Sequence, residues 1–231
     1  MNDWSKSAQD LLVPAVCVLC GAAGADGLDL CAGCRRDLPR LGGGCARCAL
    51  PLTDAGEALC GACQRRPPAF ERCLSLFEYQ APVDHLLLGL KFHSRLEMAR
   101  LLGQLMARWL AQACESRPDL LVPVPLHPRR LRQRGFNQAL ELARPIARRL
   151  GLSLDAQCCR RVRSTAPQVE LPRRQRLKNL GGAFEVSGPV SGRVVIVDDV
   201  MTTGSTADEL ARCLLAAGAS AVEVWVCARA G

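Results

Sequence analysis

The chain has 231 residues, 49% of them hydrophobic, and a formal charge of +8. That length suits one ordinary domain plus a small accessory module, and no apolar run reaches the roughly 20 residues that a membrane-spanning helix needs. The charge is local: fourteen Arg and Lys fall between 129 and 178 against three acids (Glu141, Asp155 and Glu170), while the rest of the chain is slightly acidic. Such a field favours anionic partners, polyphosphate or nucleic acid, unless it is only a solvated, Arg-rich helix face.

The opening Met1-Asn2-Asp3-Trp4 lacks the basic start and long apolar stretch of a secretory signal. Residues 10–16 read as the end of a small helix docked on the fold, and a cytosolic protein is expected. Cytosolic thiols stay reduced, which turns the 14 cysteines away from disulfides. Eight of them form four C-x-x-C pairs: Cys17/Cys20, Cys31/Cys34, Cys45/Cys48 and Cys60/Cys63. Each pair lets one turn aim two thiolates at one metal, and two turns complete the tetrahedral sulfur shell that zinc accepts. Two closed, structural zinc sites follow. Sequential pairing closes two short loops and is favoured, though a crossed arrangement satisfies the same spacings. Thioredoxin-type redox chemistry needs one pair at a strand–helix junction, not four in a loop-rich segment. The other six, Cys73, Cys114, Cys158, Cys159, Cys213 and Cys227, sit in apolar contexts and read as small core residues.

Arg65-Arg66-Pro67-Pro68 breaks the chain, placing a boundary near 70 between a zinc module (1–70) and a second domain (71–231). The second domain reads as α/β. Strands are predicted over 73–79, 120–124, 158–162, 194–197 and 221–228, and helices over 83–92, 96–113, 138–150 and 206–217. Their alternation implies a mostly parallel sheet covered on both faces, with ligands outside the carboxyl ends of its strands. Two strand ends matter most. Val122-Pro123-Val124-Pro125 leads into His127 and the arginines Arg129, Arg130, Arg132 and Arg134. Val194-Val195-Ile196-Val197 leads into Asp198-Asp199-Val200-Met201-Thr202-Thr203-Gly204-Ser205-Thr206 and a helix. Two acids at a strand end can accept hydrogen bonds from adjacent ribose hydroxyls. Small hydroxyl residues around Gly204 let backbone N–H groups approach a phosphate at a helix start. Neither a Walker pattern nor G-x-G-x-x-G occurs.

That second run resembles the signature of type I phosphoribosyltransferases, which bind 5-phosphoribosyl-1-pyrophosphate (PRPP). The resemblance implies that Asp198 and Asp199 contact the ribose 2′- and 3′-hydroxyls, and that Thr202, Thr203, Gly204, Ser205 and Thr206 hold the 5′-phosphate. With the cysteine module, Leu90-Lys91-Phe92, the run 134–138 and Asn179-Leu180-Gly181-Gly182-Ala183-Phe184, the chain resembles the ComF/GntX family of competence-associated, phosphoribosyltransferase-like proteins over nearly its whole length. This implies a type I phosphoribosyltransferase-like α/β fold. It also implies Mg²⁺ bound with PRPP, a pyrophosphate turn at 126–130, and a lid over 163–179 supplying Arg173, Arg176 and Lys178. The expected setting is DNA uptake or utilisation, with single-stranded DNA and uptake machinery as partners. Pyrophosphate contacts are expected from His127, Arg129, Arg130 and Arg134, although His127 also reads simply as a turn residue. Aromatic residues make up only 4%, so DNA binding would be electrostatic rather than built on base stacking. The acceptor of a phosphoribosyl transfer leaves no motif, and a non-catalytic accessory role fits the same residues.

Overall fold

A computed structural model describes residues 14–52, 58–114, 117–163 and 182–231. Among them, seven strands and seven helices are described. β1 (Cys73–Glu78), α3 (Val83–His93), α4 (Leu96–Ala113), β2 (Leu120–Pro123), α5 (Pro128–Arg134), α6 (Gln138–Leu150) and β3 (Ser153–Leu154) come first. β4 (Cys159–Arg161), β5 (Phe184–Val186), β6 (Arg193–Met201), α7 (Ser205–Ala216) and β7 (Ala221–Arg229) follow. Two one-turn helices, α1 (Ala32–Arg36) and α2 (Gly61–Arg65), precede them all in the cysteine-rich segment.

The main sheet has the order β1-β7-β6-β2-β3, and every neighbouring pair in it is parallel. β4 and β5 form a separate antiparallel ladder. The last strand, β7, lies between β1 and β6 and is buried along its whole length, Trp225 completely so. That explains its apolar run from Val224 to Ala228: a strand covered on both faces needs no alternation. Alternation survives in where β6 packs. Val195 and Val197 join the cluster of α3, α4 and α6, whereas Val194 and Ile196 join the cluster of α7. From β2 the chain passes through α6 to β3 on one side, and from β6 through α7 to β7 on the other. The crevice between the ends of β2 and β6 is therefore the switch point where α/β sheets bind ligands.

Two features were not legible beforehand. β6 does not stop at Val197; Asp198, Val200 and Met201 keep parallel partners in β7 (Val226, Ala228 and Arg229), so the turn begins only at Thr202. The segment after β2 turns at once into α5, which Pro128 starts and Gly135 ends with φ +84°. α4 and α6 approach closely at Gly103, where an added Cβ would lie 2.9 Å from the Leu142 carbonyl oxygen and from Pro145 Cγ. Gly103→Ala should therefore destabilise the fold despite alanine's better helix propensity. The expected net cost is about 1–2 kcal/mol, read as a fall of roughly 2–8 °C in melting temperature by calorimetry.

The cysteine-rich segment is two versions of one unit, a hairpin knuckle followed by the first turn of a short helix. In the knuckles Gly21 N donates to Cys17 O at 2.9 Å and Ala49 N to Cys45 O at 2.8 Å. Both residues take positive φ, +76° at Gly21 and +55° at Ala49, where alanine carries strain that glycine escapes. Cys31 and Cys60 sit at the N-caps of α1 and α2. The two units clasp the β1 edge from opposite faces. The first packs Cys17, Leu28, Leu30 and Leu38 into the α4 cluster, while Ala49 and Cys48 of the second lie with the α7 cluster. Between them the chain crosses the β1 edge, with Leu41 N donating to Leu76 O and Glu78 N to Pro39 O. Arg100 and Arg108 of α4 hold the first unit through the Asp29 carboxylate and the Asp26 carbonyl.

Candidate functional site

The eight predicted metal ligands gather in two groups: Cys17, Cys20, Cys31 and Cys34, and Cys45, Cys48, Cys60 and Cys63. Within each group the sulfurs lie within 4.8 Å of one another. The pairing is thus sequential. Sulfurs bound to zinc at about 2.3 Å in a tetrahedron stand about 3.8 Å apart. Cys20 to Cys31 and Cys48 to Cys60 are both 3.7 Å, so the cages fit zinc. Burial pushes the Cys17 and Cys45 thiols up, but backbone N–H donors around them outweigh it and bring them to about 6 and about 7. Neighbouring thiols, Cys20 first, push Cys34 up to about 12. Four thiolates in one shell therefore need a cation, and with all four corners taken by sulfur the sites are structural.

Beyond the carboxyl end of β6, on its β7 side, an open cleft is lined by Asp198, Val200, the run 201–207, Val224 and Val226. Its floor is the β6–α7 turn. Gly204 takes φ +78° as the residue before α7, and an L side chain there would be strained. Thr203 Oγ1 and Ser205 Oγ stand 2.8 Å apart. The backbone N–H groups of Thr202, Thr203 and Gly204 donate to none of the described residues. Three free donors at the positive end of a twelve-residue helix form an anion-binding arrangement.

Because β6 continues through them, Asp198 and Asp199 point to opposite sides of the strand. Asp198 lines the cleft. Burial, then the Asp199 charge, hold its carboxyl well above the usual carboxylate range. Asp199 faces α3, where Lys91 Nζ lies 2.6 Å from its Oδ2. No donor meets that oxygen in aligned hydrogen-bond geometry, so the contact is an ion pair. Burial alone would lower the Lys91 pKa, but the Asp199 charge and contact together with the Asp198 charge outweigh it, and the net shift is upward. The other oxygen of each acid accepts the next N–H in the chain, Asp199 N and Val200 N, both at 2.9 Å.

The basic segment leaves the same edge of the sheet. β2 runs beside β6, with Val124 N donating to Val197 O at 2.9 Å. Arg134 is close enough for the Asp199 charge to act on it, though burial, the larger effect, leaves its pKa lowered; Arg130 lowers it further. Arg161 of β4 likewise feels Arg130 and Asp198, and its guanidinium lies over the Phe184 ring at 5.5 Å. The cations are thus near the acids and not across the sheet. His127 accepts from Arg129 N through Nδ1 at 3.2 Å, which makes it the N-cap of α5. Arg129 is exposed on that helix. Arg173, Arg176 and Lys178 lie outside the described residues.

Three residues beside the site carried no functional assignment in the sequence. Lys91 had one usable signal: it is one of only three lysines among 30 basic residues, in a chain that otherwise uses Arg. Arg161 and Arg229 had none. Arg229 ends β7 and is 4% exposed, beneath the β6–α7 turn.

Residues 8–64 match the double zinc ribbon domain family. The chain is 40% identical over 225 residues to the DNA utilization protein YhgH of Escherichia coli (strain K12), spanning 95% of this chain and 99% of that one. It is 30% identical over 209 residues to competence protein F of Haemophilus influenzae, spanning 87% and 90%. The chain belongs to the ComF/GntX family. As in the ComF/GntX resemblance drawn from the sequence, a double zinc ribbon precedes an α/β domain with a central parallel sheet. Among the described residues no helix is long and apolar enough to cross a membrane.

Proposed function

We propose that this protein binds PRPP, with Mg²⁺, in the cleft at the end of β6 and transfers its phosphoribosyl group to an acceptor, in the cytoplasmic handling of incoming or nutrient DNA. The observation that carries this reading is the turn itself: three unengaged N–H groups, two paired hydroxyls and a helix start, next to a carboxylate that lines the same cleft. A 5′-phosphate suits the donors, and ribose hydroxyls suit Asp198 and the edge of Asp199. Carboxylate oxygens are also ligands of a hard cation, and Mg²⁺ would supply charge neutralisation of the diphosphate. Arg134 and Arg161, which feel the Asp199 and Asp198 charges, and Arg130, which both of them feel, are the fixed cations that would stabilise departure of pyrophosphate. The relatives' names, DNA utilization protein and competence protein F, support the DNA setting.

A second reading has its own observation. Arg129, Arg130 and Arg132 on α5 form no ion pair with the described residues, so this helix also suits the backbone of single-stranded DNA in a non-catalytic, PRPP-sensing role. One experiment separates the readings. Pyrophosphate release from PRPP and Mg²⁺ is measured over a panel of bases, amines and oligonucleotides. Release with one acceptor class is expected; PRPP binding by calorimetry with silence across the panel would favour the accessory role. DNA affinity in that role should fall steeply between low and high salt.

A further inference from the structure

The second cysteine site touches the phosphate turn through one buried cation. Arg229 Nε donates to the carbonyl oxygen of Cys48, itself one of the eight metal ligands, at 2.9 Å. Its Nη1 donates to Met201 O at 3.1 Å, to Thr202 O at 2.5 Å and to Ala230 O. Ala230 N also donates to Met201 O at 3.0 Å. Arg229 makes no ion pair with a described carboxylate. At 4% exposure its charge is satisfied by carbonyl dipoles from the zinc knuckle on one side and the turn on the other.

This arrangement fixes which way the turn's peptides face. In a trans peptide the C=O and the following N–H point in opposite directions. Drawing the Met201 and Thr202 carbonyls down onto Arg229 turns the N–H groups of Thr202 and Thr203 the other way. These are two of the three donors left unengaged in the cleft. The planar guanidinium holds the Cys48 carbonyl through Nε and the turn carbonyls through Nη1 in one fixed fork, which a point cation on a flexible stem cannot do as well. Its charge also sits directly behind the anion site.

We propose that Arg229 is a positioning residue through which the second cysteine site (Cys45, Cys48, Cys60 and Cys63), when it holds zinc, sets the shape of the phosphate-binding turn. Among the described residues the first site, on the opposite face of the β1 edge, has no such connection. Zinc in the second site fixes Cys48, Cys48 O anchors the guanidinium, and the guanidinium fixes the peptides of Met201 and Thr202. The part of this inference that concerns ligand rests on the phosphate reading of the turn; the part that concerns backbone order does not.

The test compares the full-length wild type with Arg229→Met, Cys60→Ser and Cys31→Ser. Zinc content, ¹⁵N order parameters of the Thr202, Thr203 and Gly204 amides, and the affinity for ribose 5-phosphate by calorimetry are measured on each. Arg229→Met should keep both zinc ions yet drop the turn amides from a rigid value of about 0.85 towards 0.6. It should also weaken ribose 5-phosphate on the order of tenfold, the scale of losing hydrogen bonds to a charged group. Cys60→Ser should lose one zinc and reproduce both effects. Cys31→Ser should lose one zinc and leave the turn unchanged. Rigid turn amides in Arg229→Met would overturn the proposal, even if Cys60→Ser fails to fold. Equal loosening in Cys31→Ser and Cys60→Ser would overturn it as well. A wild type that ignores ribose 5-phosphate would defeat the phosphate reading, while the order parameters would still decide the role of Arg229.

Discussion

Asp198→Ala/Asp199→Ala should lower the affinity for PRPP with Mg²⁺ by on the order of 100-fold or more, since hydrogen bonds to a charged group are worth about 1.5–3 kcal/mol each. Titration calorimetry on the wild type and the variant measures it, and equal heats would rule out the ribose contact. The two positions are not equivalent. Asp199 neutralises Lys91 at 2.6 Å, so its removal strands a half-buried ammonium and should also cost stability. Asp198 has no such partner among the described residues and lines the cleft, which makes Asp198→Asn the cleaner probe of ligand contact. Proton linkage gives an independent check. Burial first, then the Asp199 charge, raise the Asp198 pKa well above its ordinary value. A carboxyl shifted upward contributes stability below the ordinary carboxylate range, about pH 4. That contribution is lost as pH rises through the raised value. Ribose hydroxyls donate to the ionised form, so binding should release a proton and strengthen with pH across that window. Calorimetry in two buffers of different ionisation heat reads the proton directly, and Asp198→Asn should abolish the release.

Loss of zinc from the second site should be the most destabilising single event in the cysteine-rich segment. The first site shares its burial with a real core: Cys17, Leu28, Leu30 and Leu38 pack against α4, and Arg100 and Arg108 tie it down. Around the second, the buried residues of the local cluster are Cys45, Cys60 and Cys63 themselves, with Leu50, Leu52 and Leu59 only partly covered. Such a unit draws most of its folding free energy from the metal. Cys63→Ser should lower zinc content from two ions to one and lower the melting temperature by on the order of 10 °C, from a loss of several kcal/mol. Cys34→Ser should lower it less, because the hydrophobic contacts with α4 persist. Zinc counting with a colorimetric chelator and calorimetric melting of both variants check the order. A larger drop for Cys34→Ser would contradict the account.

Particular elements show what could be read in advance. Helix α4 was legible to the residue, 96–113, because its apolar face repeats over five turns. β7 was legible because burial on both faces leaves an apolar run from Val224 to Ala228. The end of β6 was misjudged by four residues, since acids ordinarily mark a strand's end. Here the ladder with β7 continues through Asp198 to Met201, and that pairing is not written in β6 itself. The extension has a chemical consequence: it sends the two acids to opposite faces, one to the cleft and one to Lys91. β5 and α5 were missed for the same reason, being short segments whose pairing or packing outweighs weak local propensity.

The amino-acid sequence alone determined the eight cysteine ligands, the alternation of strands and helices, and the run of small hydroxyl residues around Gly204 ahead of the last helix. Each is encoded by spacing within a few residues, and short-range spacing survives in a linear text. Only the tertiary structure decided that the zinc units clasp opposite faces of the β1 edge, that Lys91 answers Asp199, and that Arg229 joins Cys48 to the turn. Arg229 and Cys48 are separated by 181 positions. Contacts of that reach arise from packing that brings distant segments together, and no local pattern carries them.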